Sequence, residues 1–228
     1  MYPDGIHGYR VSTAWVGGLL NDFQIGHPFN WTWFDFVLAH ELGHNLGVLH
    51  ANAWECTGKI FALTGKDCSH REYGNMFDVM GYGSVSLHFN SYFKDFFQWL
   101  NNSSILTIAQ SGRYTLKPLE LSSGVRAAKI LDPRGNIPFY LEYRQGIGFD
   151  QNLSGRSFER GLFINWVPDI YNVRLLGLKY SGRGITLNVG DSFRDPESQI
   201  TIGPIINSDE NGITFDVFIG SPDLTVTN

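Results

Sequence analysis

One stretch constrains this chain more than any other: His40-Glu41-Leu42-Gly43-His44-Asn45-Leu46-Gly47-Val48-Leu49-His50. On a helix, His40 and His44 lie one turn apart on the same face, so both imidazoles can reach one zinc ion. Glu41 follows the first of them, where a carboxylate can approach a water on the metal without ligating it, the place a general base needs. Gly47 can adopt positive φ, end the helix and turn the chain sharply. His50 can then return as a third ligand. Three neutral imidazoles leave the fourth zinc position open, the pattern of a catalytic rather than a closed structural site. A bare H-E-x-x-H arises by chance on amphipathic helices. A glycine and a third histidine at these offsets have no packing purpose that apolar residues would not serve better.

The segment Asp78-Val79-Met80-Gly81-Tyr82 stands downstream at the distance of a methionine-containing turn, and together with the zinc motif it resembles the metzincin metallopeptidases. Within that clan, Glu72-Tyr73-Gly74-Asn75-Met76-Phe77-Asp78-Val79-Met80-Gly81 followed by His88-Phe89-Asn90 is similar to the secreted gametolysin family, as are Leu141-Glu142-Tyr143-Arg144-Gln145 and Gly148-Phe149-Asp150. Immune-inhibitor-A-type proteases are the nearest alternative, and His50 favours gametolysin. The resemblance runs from about residue 17 to the C-terminus. It implies a secreted zinc metalloendopeptidase that hydrolyses peptide bonds of extracellular proteins through a zinc-bound water. In that reading His40, His44 and His50 hold Zn2+, Glu41 is the general base and Met80 is the methionine of the turn. Some metzincins place a tyrosine two residues after that methionine, which makes Tyr82 a candidate for stabilising the oxyanion; a packed tyrosine is the alternative. Asp78 is a candidate for orienting a ligand imidazole, with a turn-stabilising role equally open. Cys56 and Cys68 flank a short loop between the third histidine and the turn. In an oxidising compartment they can form a disulfide, a reading helped by the resemblance, against two reduced buried cysteines in a cytosolic protein.

The fold class expected is an α+β metzincin-type catalytic domain over 1–103, followed by an all-β sandwich over 104–228. At 228 residues and 43% hydrophobic content there is material for two packed cores. A net charge of -5 argues against a nucleic-acid partner. No apolar run is long enough to span a bilayer, and Met1-Tyr2-Pro3-Asp4-Gly5 does not read as a signal peptide. The expected partner is a polypeptide substrate, and the expected state a monomer. Segments 9–16 and 19–25 are β-prone, and by resemblance the first is a candidate for the cleft edge that pairs with substrate. Relative to metzincins few residues precede the zinc helix, so the N-terminus looks truncated.

The zinc helix is predicted over 33 to about 46 with Thr32 as N-cap, then a loop over 51–73 and an amphipathic helix over 91–100. Asn101-Asn102-Ser103-Ser104 marks the domain boundary. Beyond it, short β-like runs at 107–109, 113–116, 126–131, 139–144, 162–167, 174–178, 185–189, 200–202 and 213–219 alternate with turn residues, the rhythm of a sandwich. Alternation over 139–144 leaves Glu142 and Arg144 paired or facing the catalytic domain. Asp191 and Asp195 are candidates for a Ca2+ site, although carboxylates beside a turn are more often solvated. His7, His27, His70 and His88 lack ligand spacing and read as structural. Asn30 and Asn152 fit the N-glycosylation pattern, which matters only in a eukaryotic secretory pathway. A rival reading from another class is a catalytically silent zinc-containing module binding cell-wall or matrix proteins. Glu41 speaks against it, since a binding module has no use for a base.

Overall fold

The computed structural model describes residues 31–56, 68–82, 87–177 and 185–220. The strands expected over 9–16 and 19–25, and His7, His27 and Asn30, lie outside them.

Helix α1 (Trp31–Asn45) carries the zinc motif and begins before Thr32, so Thr32 lies within it rather than at its cap. Its buried positions are Phe36, His40 and Gly43, with Val37 and Ala39 packed partly against the same cluster. The helix stops because Gly47 takes φ 100. The amides of Gly47 and Val48 then fold back onto the carbonyls of His44 (3.0 Å) and Gly43 (3.2 Å), the paired bonds of a glycine-terminated helix.

Strand β1 (Ala51–Cys56) starts immediately after His50, and β2 (Cys68–Arg71) pairs with it antiparallel, from Ala53 opposite Arg71 to Cys56 opposite Cys68. This corrects the loop expected over 51–73. Ala-Asn-Ala-Trp-Glu-Cys has little intrinsic strand preference and is extended because of what it pairs with. Helix α2 (Ser91–Phe96) is shorter than the expected 91–100. Its N-cap Asn90 accepts a hydrogen bond from the Phe93 amide (3.0 Å), and Gln98 at φ 60 turns the chain out of the helix.

The remaining strands are β3 (Ile105–Ile108), β4 (Gly112–Leu116), β5 (Ala127–Ile130), β6 (Phe139–Tyr143), β7 (Leu162–Asp169), β8 (Asn172–Gly177), β9 (Phe193–Asp195), β10 (Ile200–Asp209) and β11 (Gly212–Ile219), all but β9 overlapping runs read from the sequence. The 185–189 run contributes only isolated bridges at Leu187 and Val189. A seven-stranded sheet has the order β2-β1-β8-β7-β6-β5-β3, and a four-stranded sheet the order β4-β11-β10-β9. The larger sheet lies in the middle. All five residues of β6 are buried, the mark of a strand covered on both faces. Phe139, Leu141 and Tyr143 join a cluster with Ile202, Phe215 and Val217 of the smaller sheet. Tyr140 between them points the other way, into a cluster with Phe36 of α1, Met80 and Phe93 of α2.

β1 lies parallel to β8, with Ala51 opposite Val173 and Glu55 opposite Gly177, so segments on both sides of the expected 103/104 boundary share one sheet.

Arg144, directly after β6, has no solvent exposure and ties the layers together. Its guanidinium donates to Asp150 Oδ2 (2.9 and 2.6 Å) and to the Phe77 carbonyl, and stands 3.7 Å from carboxylate oxygens of Glu120 and Glu142. Glu142 in turn accepts from the Ser91 amide (2.5 Å). Glu142 and Arg144 thus pair with each other and also reach the segment under the histidines. Arg144→Met leaves buried carboxylates without their cation and is expected to cost about 3–5 kcal/mol of stability, read as a fall in the urea midpoint.

Candidate metal centre

The end of α1 and the turn after it bring His40, His44 and His50 together. The ring centroids of His40 and His44 are 4.8 Å apart, those of His44 and His50 4.9 Å, and those of His40 and His50 5.4 Å. One candidate ligand atom from each lies within 4.8 Å of the others, the only such group of metal-ligating side chains among the described residues.

The donor set fits zinc in a second way. Each imidazole has its Nδ1 engaged: His40 with the Val79 carbonyl (2.8 Å), His44 with the Val48 carbonyl (2.9 Å) and His50 with Glu72 Oε1 (2.8 Å). Carbonyl and carboxylate oxygens only accept, so each Nδ1 carries the proton and each Nε2 is left with the lone pair a metal requires. Burial pushes the pKa of His40 and of His50 below the ordinary histidine value, which keeps both rings neutral at pH 7.

Residues 75–82 form the floor. Met80 is fully buried against α1, and Gly43 is the reason it fits: a Cβ at Gly43 would stand 2.3 Å from the Met80 sulfur. Gly81 is equally confined, since a Cβ there would lie 1.7 Å from the Asn75 carbonyl oxygen. The turn is closed by the Phe77 amide on Asn75 Oδ1 (3.0 Å) and the Met80 amide on Asp78 Oδ1 (2.6 Å). Its Met80 carbonyl accepts from the amide of Ala51, the residue after His50 (2.8 Å). Asp78 Oδ2 also accepts from the Asn90 amide (2.5 Å). Asp78 therefore stabilises the turn, and a neighbouring backbone carbonyl, that of Val79, orients the His40 ring. Complete burial pushes the Asp78 carboxyl up to about 7 against the pull of those two amides.

Glu41 is half-buried beside His40. Tyr82 is 75% exposed, and its amide donates to the Tyr73 carbonyl (2.7 Å). Among the described residues the Tyr73 ring lies 3.7 Å from the His50 ring and 5.9 Å from that of His40, and the Phe36 ring stands 5.9 Å from His40 on the helix side. Glu72 and Tyr73 stand in the gametolysin-like stretch of the sequence but take no role from it, because their proximity to His50 depends on the β1–β2 pairing within a segment that reads as loop. Cys56 and Cys68 are Cα partners at the far end of that pairing. Asp195 caps the amides of Glu197 and Ser198, and Asp191 that of Asn188, so the two carboxylates named for calcium serve local turns.

The model of metallo-peptidase family M12B, reprolysin-like, matches residues 3–112. The match supports a metzincin-type zinc metallopeptidase. It covers α1, the three histidines and the Met80 turn, and it does not single out the gametolysin subtype. No curated protein and no solved structure gave a significant match. Among the described residues no helix is long and apolar enough to cross a membrane.

The Gly43–Met80 contact predicts a change of sign. Gly43→Ala is expected to destabilise the parent by about 1–3 kcal/mol through overpacking. In a Met80→Ala background the same change becomes neutral or stabilising by up to about 1 kcal/mol, the helix preference for alanine over glycine. Chemical unfolding of the four proteins measures the coupling.

Proposed function

We propose that this chain is a secreted, gametolysin-like zinc endopeptidase acting on extracellular proteins, with Glu41 as its general base. The observation that carries the reading is the convergence of His40, His44 and His50 with every Nδ1 already engaged, beside a glutamate that serves no such orienting bond. Zinc held there would act as a Lewis acid toward the scissile carbonyl and would make an attacking water more acidic. Glu41 takes the proton from that water and returns it to the departing amine. The carbonyls of Val79 and Val48 keep the first two imidazoles in the tautomer that presents Nε2. Met80 gives the histidines a dry floor, and Tyr82, with its side chain in solvent, is placed in this reading as a hydrogen-bond donor to the oxyanion. The Cys56–Cys68 disulfide belongs to the same reading. It is supported by their direct pairing across β1 and β2, and it suits an extracellular protein. The polypeptide substrate follows from the peptidase family match over residues 3–112.

Glu41→Gln is expected to keep stoichiometric zinc and to lose at least about 100-fold in cleavage of an unfolded protein, because an amide cannot accept the proton. Undiminished turnover in that variant would remove Glu41 from the mechanism. Chelation of the parent is expected to abolish cleavage, with recovery on adding zinc. Zinc binding without cleavage in the parent itself would instead favour a silent binding module.

A further inference from the structure

We propose that Glu72 and Tyr73 are positioning residues for the third imidazole, His50, an assignment that rests on the zinc reading of the histidine site. His50 differs from the other two ligands in its support. His40 and His44 are carried by α1, and their Nδ1 atoms meet backbone carbonyls. His50 lies beyond the helix, and its Nδ1 meets a side-chain carboxylate, Glu72 Oε1, at 2.8 Å. A carboxylate in that place fixes the tautomer and ring orientation, and makes the opposite nitrogen a stronger donor to metal than a carbonyl does.

Tyr73 supplies the second constraint. Its ring lies 3.7 Å from that of His50 at an interplanar angle of 31°, closer than any other ring contact of the histidines among the described residues. The backbone that puts it there is unfavourable for a tyrosine, with φ 57 in the left-handed region, and is pinned from both sides. The Tyr73 amide donates to Asn52 Oδ1 (3.1 Å), and its carbonyl accepts from the Tyr82 amide (2.7 Å). Asn52 is a buried residue of β1, two positions after His50. Gly74 completes the corner, since a Cβ there would stand 2.6 Å from that of Ala53. The strand that begins just after His50 therefore also sets the corner that returns Glu72 and Tyr73 to it. An incidental surface pair would not need a strained, doubly anchored backbone beside it.

The Glu72 side chain is 62% exposed, so solvent weakens its hold and the effect belongs at the lower end of the range for such partners. The full chain is compared with Glu72→Ala, Glu72→Gln and Tyr73→Gly, the glycine being able to adopt φ 57 without strain, so that the fold is kept while the ring is removed. Zinc dissociation constants by chelator competition are expected to rise about 10-fold for Glu72→Ala and for Tyr73→Gly. The rise is expected to be smaller for Glu72→Gln, whose amide oxygen still accepts from Nδ1. Imidazole nitrogen NMR of the metal-free proteins gives a readout independent of metal. The His50 proton is expected on Nδ1 in the parent and distributed over both nitrogens in Glu72→Ala. An unchanged tautomer together with unchanged zinc affinity in Glu72→Ala would overturn the Glu72 assignment, and unchanged affinity in Tyr73→Gly that of Tyr73. Failure of the parent to bind zinc would overturn the zinc reading instead, while the metal-free tautomer still decides for or against Glu72.

Discussion

The site is built outward from the contact between Gly43 and Met80. On α1 the position facing the turn has no side chain, and the methionine sulfur takes the space a Cβ would fill. That approach brings the Val79 carbonyl to His40, and it sets the Met80 carbonyl where the Ala51 amide can reach it. His40 and the chain just after His50 are thus referenced to one turn. Gly47 makes this possible by ending the helix within a residue, so that Val48 turns inward and its carbonyl closes on His44. Moving the turn away from α1 would release two of the three imidazoles from their oriented states.

Beneath the turn, charge is buried rather than excluded. Asp78 links the Met80 amide to the Asn90 amide at the start of α2, and Arg144 joins the Phe77 carbonyl to Asp150. Isolated ions at these depths would be prohibitively costly. Each is paired or saturated with hydrogen bonds, so the network holds its geometry strongly once formed and is damaged by loss of a single member. The face toward solvent is different in kind. There His44, His50 and Glu72 are partly exposed, only His40 being buried, and orientation comes from single bonds to Nδ1. A charged base under a partly open donor face is the arrangement that the proposed zinc site requires, with its donors held still and one position left accessible.

The two halves of the chain differ in how legible they are. From residue 105 onward, β-branched and aromatic residues recur at short intervals between Gly, Pro, Asn and Asp, and apart from β9 and the 185–189 run the observed strands overlap those runs, because local preference and tertiary pairing agree. The segment 51–73 is the reverse case. Ala51 to Cys56 has no strand-like pattern and becomes β1 by lying between β8 and β2. A domain boundary at 103 is natural from the Asn-Asn-Ser-Ser composition, yet the parallel pairing of β1 with β8 carries one sheet across it. A contact between residues more than a hundred positions apart leaves no local signature.

The sequence by itself determined the identity and spacing of the three histidines, the glutamate beside the first, the glycine that ends the helix and the methionine downstream. These are properties of helix periodicity and of the conformational freedom of glycine, both of which act over a few residues. Only the tertiary structure decided which groups occupy the other nitrogen of each imidazole, and that Tyr73 rather than Tyr82 lies against the rings. It also decided that Arg144, far along the chain, supports the turn under the histidines. Those choices depend on strand register and on burial, which are set by the packing of segments remote in sequence and have no periodic trace in the chain.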